Sequence, residues 1–192
     1  MERIKFEQAP GELLNFYTFV PANERWQPDM LPWVLEQLPR HVPLSLYGVA
    51  PTWAYAAVAA ATGDQPLTQF DPRLPFGWIQ PLPVQLSQEQ HPDAPCALLM
   101  SRVATILRIK IPTHLEYFQP APFPLPPVPR DRGLIIHGKM PYWLLTALAR
   151  FYRDQHLPWL ATYYPPINKA IVIYARRDVP YRPGDIIDMP RT

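Results

Sequence analysis

Twice along the chain an apolar run stops at a glycine, and a helix-periodic segment begins beside a proline three residues later. The first instance is "LSLYGVAPTWAYAAVAAATGDQ", Leu44 to Gln65, and the second is "LIIHGKMPYWLLTALARFYRDQ", Leu134 to Gln155. Short apolar runs bounded by turn residues predict buried strands ending at Gly48 and Gly138. Ala54 to Ala61 is alanine-rich, and Trp143, Leu144, Ala147, Leu148 and Phe151 recur at helical spacing, so a helix follows each turn. "PLTQF", "PWLATYY" and "AIVIYARR" then have strand composition. Upstream, Asn15 to Pro21 ("NFYTFVP") and Thr105 to Pro112 ("TILRIKIP") both read as alternating strands ending in proline. Pro28-Asp29 starts a helix over "MLPWVLEQL". The segment "QPAPFPLPPVPR", Gln119 to Arg130, should be extended, because proline fixes φ and removes donors. It is either a stiff internal connector or a ligand for an SH3-like groove.

The order of elements repeats. Leu44 to Gly48 faces Leu134 to Gly138, Pro51 faces Pro141, Trp53 faces Trp143, and Asp64-Gln65 faces Asp154-Gln155. Phe70-Asp71-Pro72 then lies opposite Tyr163-Tyr164-Pro165. Self-similarity of this kind defines the architecture before any single motif does. We expect an α/β chain of two tandem strand–helix–strand units, residues 1–92 and 93–192, joined near "QHPDAP", Gln90 to Pro95. Two such units pack with pseudo-twofold symmetry as a dimer within one chain, presenting both turns across one axis.

A strand ending at glycine lets backbone or ligand approach closely. A proline early in the following helix leaves unpaired N–H groups at the positive end of the helix dipole, where a phosphate can sit. The same turn also serves packing alone. Tyr47, His137 and Tyr142 beside the turns offer rings that could stack on bases, whereas Trp53 and Trp143 read as core anchors.

Composition narrows the classes. Proline contributes 28 of 192 residues, and prolines and charges interrupt every apolar stretch short of the roughly 18 residues of a membrane span. Met1 to Phe6 lacks the apolar region of a signal peptide, and the single cysteine, Cys96, offers no disulfide framework, so a cytoplasmic protein is expected. A net charge of +2 argues against duplex nucleic acid as partner, although Arg130, Arg132, Lys139, Arg150, Arg153 and Lys169 gather around the second motif. Such a cluster suits a compact anion or an ordinary solvated face. His41, His91 and His114 have no metal-ligand spacing with each other or with Cys96, and neither a P-loop nor a Ser/His/Asp motif is present.

"RGLIIHGKMPYWLLTALARFY", "PWLATYYPPINKAIVIYARRDVPYRPGDIIDM" and, more loosely, Gly48, Pro51, Trp53 and "FDPRL" (Phe70 to Leu74) together resemble the third family of CRISPR-associated ring nucleases. That family was first described as a manganese-dependent deadenylating ribonuclease. The match covers about Ala104 to Met189, with the N-terminal half diverging. The resemblance implies a relative of the CRISPR-associated Rossmann-like fold that binds cyclic tetra-adenylate, the second messenger of type III CRISPR immunity. Cleavage to linear products is implied with it. A ring of four phosphates suits two related helix N-termini, with Tyr47, Gly48, Pro51, Arg73, His137, Gly138, Lys139, Pro141, Arg153 and Gln155 as the ligand-binding set.

For catalysis the resemblance implies a histidine after the motif helix, paired with the aspartate of an Asp-Pro-Arg turn and assisted by manganese. Only Asp71 of "DPR" fits the aspartate, which makes it the expected catalytic and metal-binding carboxylate. In the second half Tyr164 stands at that place, and Gln155 takes the histidine position with His156 as its neighbour. Asp71 and His156 would therefore meet between halves or between stacked molecules. A cyclic oligoadenylate sensor that binds without hydrolysis, and a structural adaptor using the proline-rich segment, are the other readings.

Overall fold

Eight of the ten residues of the first motif helix, Trp53 to Ala60, are buried, on every side of the helix. A helix apolar all round needs neighbours all round, and this requirement organises the molecule. The computed structural model describes residues 9–21 and 23–190. The charged start of the chain, Met1 to Phe6, lies outside the described residues.

The fold is mixed α/β. In the first half, β1 (Glu12–Asn15), β2 (Leu44–Tyr47) and β3 (Leu67–Phe70) run parallel, and β4 (Trp78–Ile79) returns antiparallel, in the order β1-β2-β3-β4. A short helix α1 (Leu31–Glu36) crosses between β1 and β2, and α2 (Thr52–Ala61) crosses between β2 and β3. β5 (Val84–Leu86) leaves this sheet. In the second half, β6 (Cys96–Met100) pairs antiparallel with β7 (Ala104–Ile109). β8 (Phe123–Leu125), β9 (Gly133–His137), α3 (Tyr142–Asp154), β10 (Trp159–Tyr164), β11 (Lys169–Ala175) and β12 (Ile186–Asp188) follow. The six-stranded sheet has the order β12-β11-β10-β9-β7-β6, with β7, β9 and β10 parallel and β11 antiparallel to β10. Each sheet therefore contains the same sequence of pairings: parallel, parallel, antiparallel.

The helices join the sheets. α2 packs along α3 and against β10 and β11, while Thr146 of α3 donates to Gln69 Oε1 of β3 over 3.1 Å. At one end of the pair, Tyr142 of α3 meets the turn before α2; at the other, Arg150 of α3 donates to the carbonyls of Gly63 and Gln65 beyond α2. The two helices thus run side by side in the same direction. One core cluster extends from Leu14 to Ile173 and includes Trp53 and Trp143, the expected anchors.

Two expectations need correction. Asn15 to Pro21 is not a strand: β1 ends at Asn15, whose side chain accepts from Tyr17 N and turns Phe16–Thr18 into a 3-10 helix. Asparagine offers the backbone this local partner in place of a ladder bond. Pro51 and Pro141 sit one residue before their helices, with extended ψ of 154° and 150°, so each helix begins at the next residue. The proline-rich segment is extended, but its centre is β8, which pairs parallel with β5, and Phe123 and Leu125 are buried. It is an internal connector stitched into the core. The "QHPDAP" stretch is equally tied down, with Ala94 fully buried and the His91 ring stacked on Phe123 at 4.9 Å.

Candidate functional site

Both parallel sheets end their central strands at the same edge, and the two glycine turns follow there. Gly48 has φ +110° and Gly138 has φ +147°, conformations that residues with a Cβ avoid. A Cβ on Gly138 would lie 2.2 Å from the carbonyl oxygen of Ile109 at the end of β7. The glycine is therefore required by close backbone approach within the sheet edge.

A cavity of about 520 Å³ opens between the turns. Tyr47, Gly48 and Val49 line it from the first turn, Met140, Pro141 and Tyr142 from the second, and Phe70 to Arg73 close its side. Its aromatic wall is continuous, with Tyr47 edge-on to Tyr17 at 6.2 Å and to Phe70 at 5.7 Å. Tyr55 stacks on Tyr142 at 4.5 Å, and its hydroxyl donates to the Gly48 carbonyl over 2.7 Å. Burial pushes the phenols of Tyr55 and Tyr142 upward, so both remain protonated donors at neutral pH.

Asp71 is the acidic group of this cavity. It is 6% exposed, and Arg73 engages both of its oxygens: Nε donates to Oδ1 over 2.8 Å and Nη2 to Oδ2 over 2.5 Å. The Arg73 backbone N–H also donates to Oδ1. Hydrogen bonding from Arg73 holds the carboxyl below its ordinary range against the opposing effect of burial, and the same pairing raises the guanidinium. The Arg73 side chain remains 68% exposed. A fork-shaped cation with spare N–H groups, aimed by a buried carboxylate, is suited to a phosphate.

The second turn lines a further cavity of about 390 Å³, with His137, Gly138, Lys139, Thr162 and Tyr163 on one side and Thr52 on the other. His137 stacks on Tyr163 at 4.3 Å. Burial, and then the charge of Arg108, push the imidazole below its usual range, so it is neutral at pH 7. Met140 lines both cavities.

The structure thus brings Tyr47, Gly48, Asp71, Arg73 and Pro141 to one cavity and His137, Gly138 and Lys139 to its neighbour, with Pro51 between them ahead of α2. It places Arg153, Gln155 and His156 elsewhere, in and just after the last turn of the thirteen-residue α3, about 20 Å along the helix. There Arg153 pairs with Asp154 and lies 3.8 Å from Asp64, and Gln155 accepts from Arg130. His156 closes the helix with φ 58°. Asp71 and His156 therefore do not meet within one chain.

A manganese site is poorly supported by the donors themselves. Among the described residues no group of three His, Cys, Asp or Glu could hold a metal ion, and the oxygens of Asp71 are taken by Arg73. Sequence reading missed Tyr55, Met140 and Thr162. Tyr55 carried a signal, being the one large polar-tipped residue in "AYAAVAAA"; the other two had none.

Residues 109–188 match the profile of a CRISPR-associated protein family (Cas_csx3). The matched span runs from the end of β7 to β12 and contains the second turn and α3; Asp71 and the first turn precede it. This similarity supports a CRISPR-associated role for the chain. No curated protein matches it. Among the described residues no helix is long and apolar enough to cross a membrane.

Proposed function

We propose that the chain binds cyclic tetra-adenylate and opens it, as a ring nuclease of type III CRISPR signalling, with residues 1–92 and 93–192 acting as two halves of an intrachain pseudo-dimer. The observation that carries this reading is the cavity shared by the two glycine turns, with the Asp71–Arg73 pair at its side. The matching strand order of the two sheets supports the pseudo-dimer. A ring of alternating bases and phosphates finds aromatic walls in Tyr17, Tyr47 and Phe70, and cations in Arg73 and Lys139.

Within the site, Asp71 acts on Arg73. Its ionised carboxylate fixes the guanidinium plane, and the remaining N–H groups face a ligand phosphate as negative charge develops there. Tyr55 and Tyr142 hold the turns that frame the pocket. Manganese, implied by the family resemblance, enters no step here because Asp71 is already engaged.

A non-hydrolysing sensor is the second reading, and a specific observation favours it: among the described residues no histidine lines the cavity that holds Asp71. In the nuclease reading, His156 would reach Asp71 only from a second, stacked molecule. Radiolabelled cyclic tetra-adenylate, incubated with the protein with and without manganese, separates the two. Linear product that disappears with Asp71→Ala supports the nuclease; tight binding without turnover supports the sensor. Failure to bind any cyclic oligoadenylate removes both.

A further inference from the structure

The two cavities occupy equivalent places in the two halves but carry different chemistry. Leu46, two residues before Gly48, pairs with Gln69, and Ile136, two residues before Gly138, pairs with Thr162. Counting forward in register, Asp71 corresponds to Tyr164, and along the turns Val49 corresponds to Lys139. The first cavity therefore holds a carboxylate and a guanidinium. The second holds an ammonium and a neutral imidazole, with no carboxylate among its lining residues.

The second cavity also contains unpaired polar groups. Thr162 is 2% exposed, and its hydroxyl has no hydrogen-bond partner; the Nδ1 atom of His137 has none either. Buried polar atoms in folded proteins are nearly always satisfied, so the unpaired Thr162 hydroxyl, on the helix-facing side of the sheet with Ile136 and Leu145, points to a polar ligand in this cavity. The stacked His137–Tyr163 pair adds a flat face for a base, and Lys139 adds a charge for a phosphate.

We propose that the cavities divide the work on one ligand: the Asp71 cavity cuts, and the His137–Lys139 cavity holds. This inference rests on the cyclic tetra-adenylate reading and specifies its product. Water adds across a single P–O bond of the ring, its hydroxyl going to phosphorus and its proton to the departing ribose oxygen. The ring becomes one linear tetranucleotide with one terminal phosphate and one new hydroxyl. Two cutting sites related by a twofold axis would instead open opposite bonds and release dinucleotides.

The test follows the products of cyclic tetra-adenylate with the full chain over time, by ion-exchange chromatography and mass spectrometry. The expected result is linear tetranucleotide as the sole product until the ring is consumed. Lys139→Ala and His137→Ala should each raise the half-saturating ring concentration about tenfold, the loss of one good contact, while the product stays a tetranucleotide. Lys139→Arg should restore most of the affinity, and circular dichroism should show each variant folded. Dinucleotides appearing in step with ring loss would overturn the division, as would unchanged half-saturation in both alanine variants. Ring bound but never opened overturns the division and leaves the binding reading standing; absence of binding removes both.

Discussion

The phenol of Tyr142, at the start of α3, donates to the carbonyl of Ala50 in the turn before α2, over 3.1 Å. Ninety-two positions of sequence separate the partners, so this bond fixes the geometry of one turn against the other. Tyr142→Phe keeps the stack on Tyr55 and removes only the hydroxyl. We expect a loss of about 1 kcal/mol, read as a fall in Tm of roughly 2–4 °C for a chain of this size. Affinity for cyclic tetra-adenylate should fall more than stability does, because the first turn loses one of the two hydroxyls that hold it, Tyr55 still donating to the Gly48 carbonyl. Equal affinity in Tyr142→Phe and the parent would show that the Tyr142 hydroxyl does not position the turns for the ligand.

The two turn glycines are not interchangeable. At Gly48 an added Cβ meets the Tyr17 ring at 3.2 Å and the Phe16 Cβ and backbone nitrogen at 3.3 Å, contacts that shifts of a few tenths of an ångström relieve. At Gly138 it meets a backbone oxygen at 2.2 Å. Gly48→Ala should cost about 1–2 kcal/mol, the strain of a positive φ. Gly138→Ala adds a clash with immobile backbone and should cost about 2–4 kcal/mol. Urea denaturation of the two variants checks the order, and a larger loss at Gly48 would contradict it.

How much of this was legible in the sequence divides along a physical line. Local patterns announced α2, α3, β2, β3 and β9 to β11, because apolar runs, glycine and helical spacing act within a few residues. The register that sets Asp71 opposite Tyr164 was also visible, since it follows from matched elements once a short insertion in the second copy is allowed for. What the sequence hid depends on partners distant in the chain. Asn15 capped a turn instead of extending a strand, and β8 found β5 across 36 intervening residues. His156 follows the motif helix as expected, but the thirteen residues of that helix separate it from the end where Asp71 sits.

Arg150 performs at the far end of the helix pair what Tyr142 performs at the near end. Its Nη2 donates to the carbonyls of Gly63 and Gln65, just beyond α2. Arg150→Ala leaves those carbonyls without this partner and should cost about 1–3 kcal/mol. Because Tyr142 and Arg150 are eight residues apart on α3, about 12 Å along the helix, the losses in Arg150→Ala and Tyr142→Phe should add within about 0.5 kcal/mol. A double variant markedly more stable than that sum would reveal coupling through the helices. Ligand affinity should respond to Tyr142→Phe but not to Arg150→Ala, since the cavity between the turns contains no part of the Arg150 clamp.

His137 gives the fold a dependence on pH with a definite sign. Burial and then the charge of Arg108 push its imidazole below the ordinary value of 6.5. Arg108 is its register partner on β7, Tyr163 stacks on its ring, and Lys139 lines the same cavity. The positive charge of Arg108 opposes protonation, and among the described residues no carboxylate lines the cavity to compensate. The unfolded chain therefore takes up a proton at a pH where the folded chain does not, and stability falls as pH drops below about 6.5. Asp71 acts in a separate window: its carboxyl is held below the ordinary 3.8, so its contribution is lost only under stronger acid. Comparing Tm at pH 7.5 and 5.5 isolates the histidine. The parent should lose stability over that interval, and His137→Asn, which cannot titrate, should lose measurably less. Identical pH profiles for the two proteins would show that His137 is protonated in the folded state as readily as in the unfolded one.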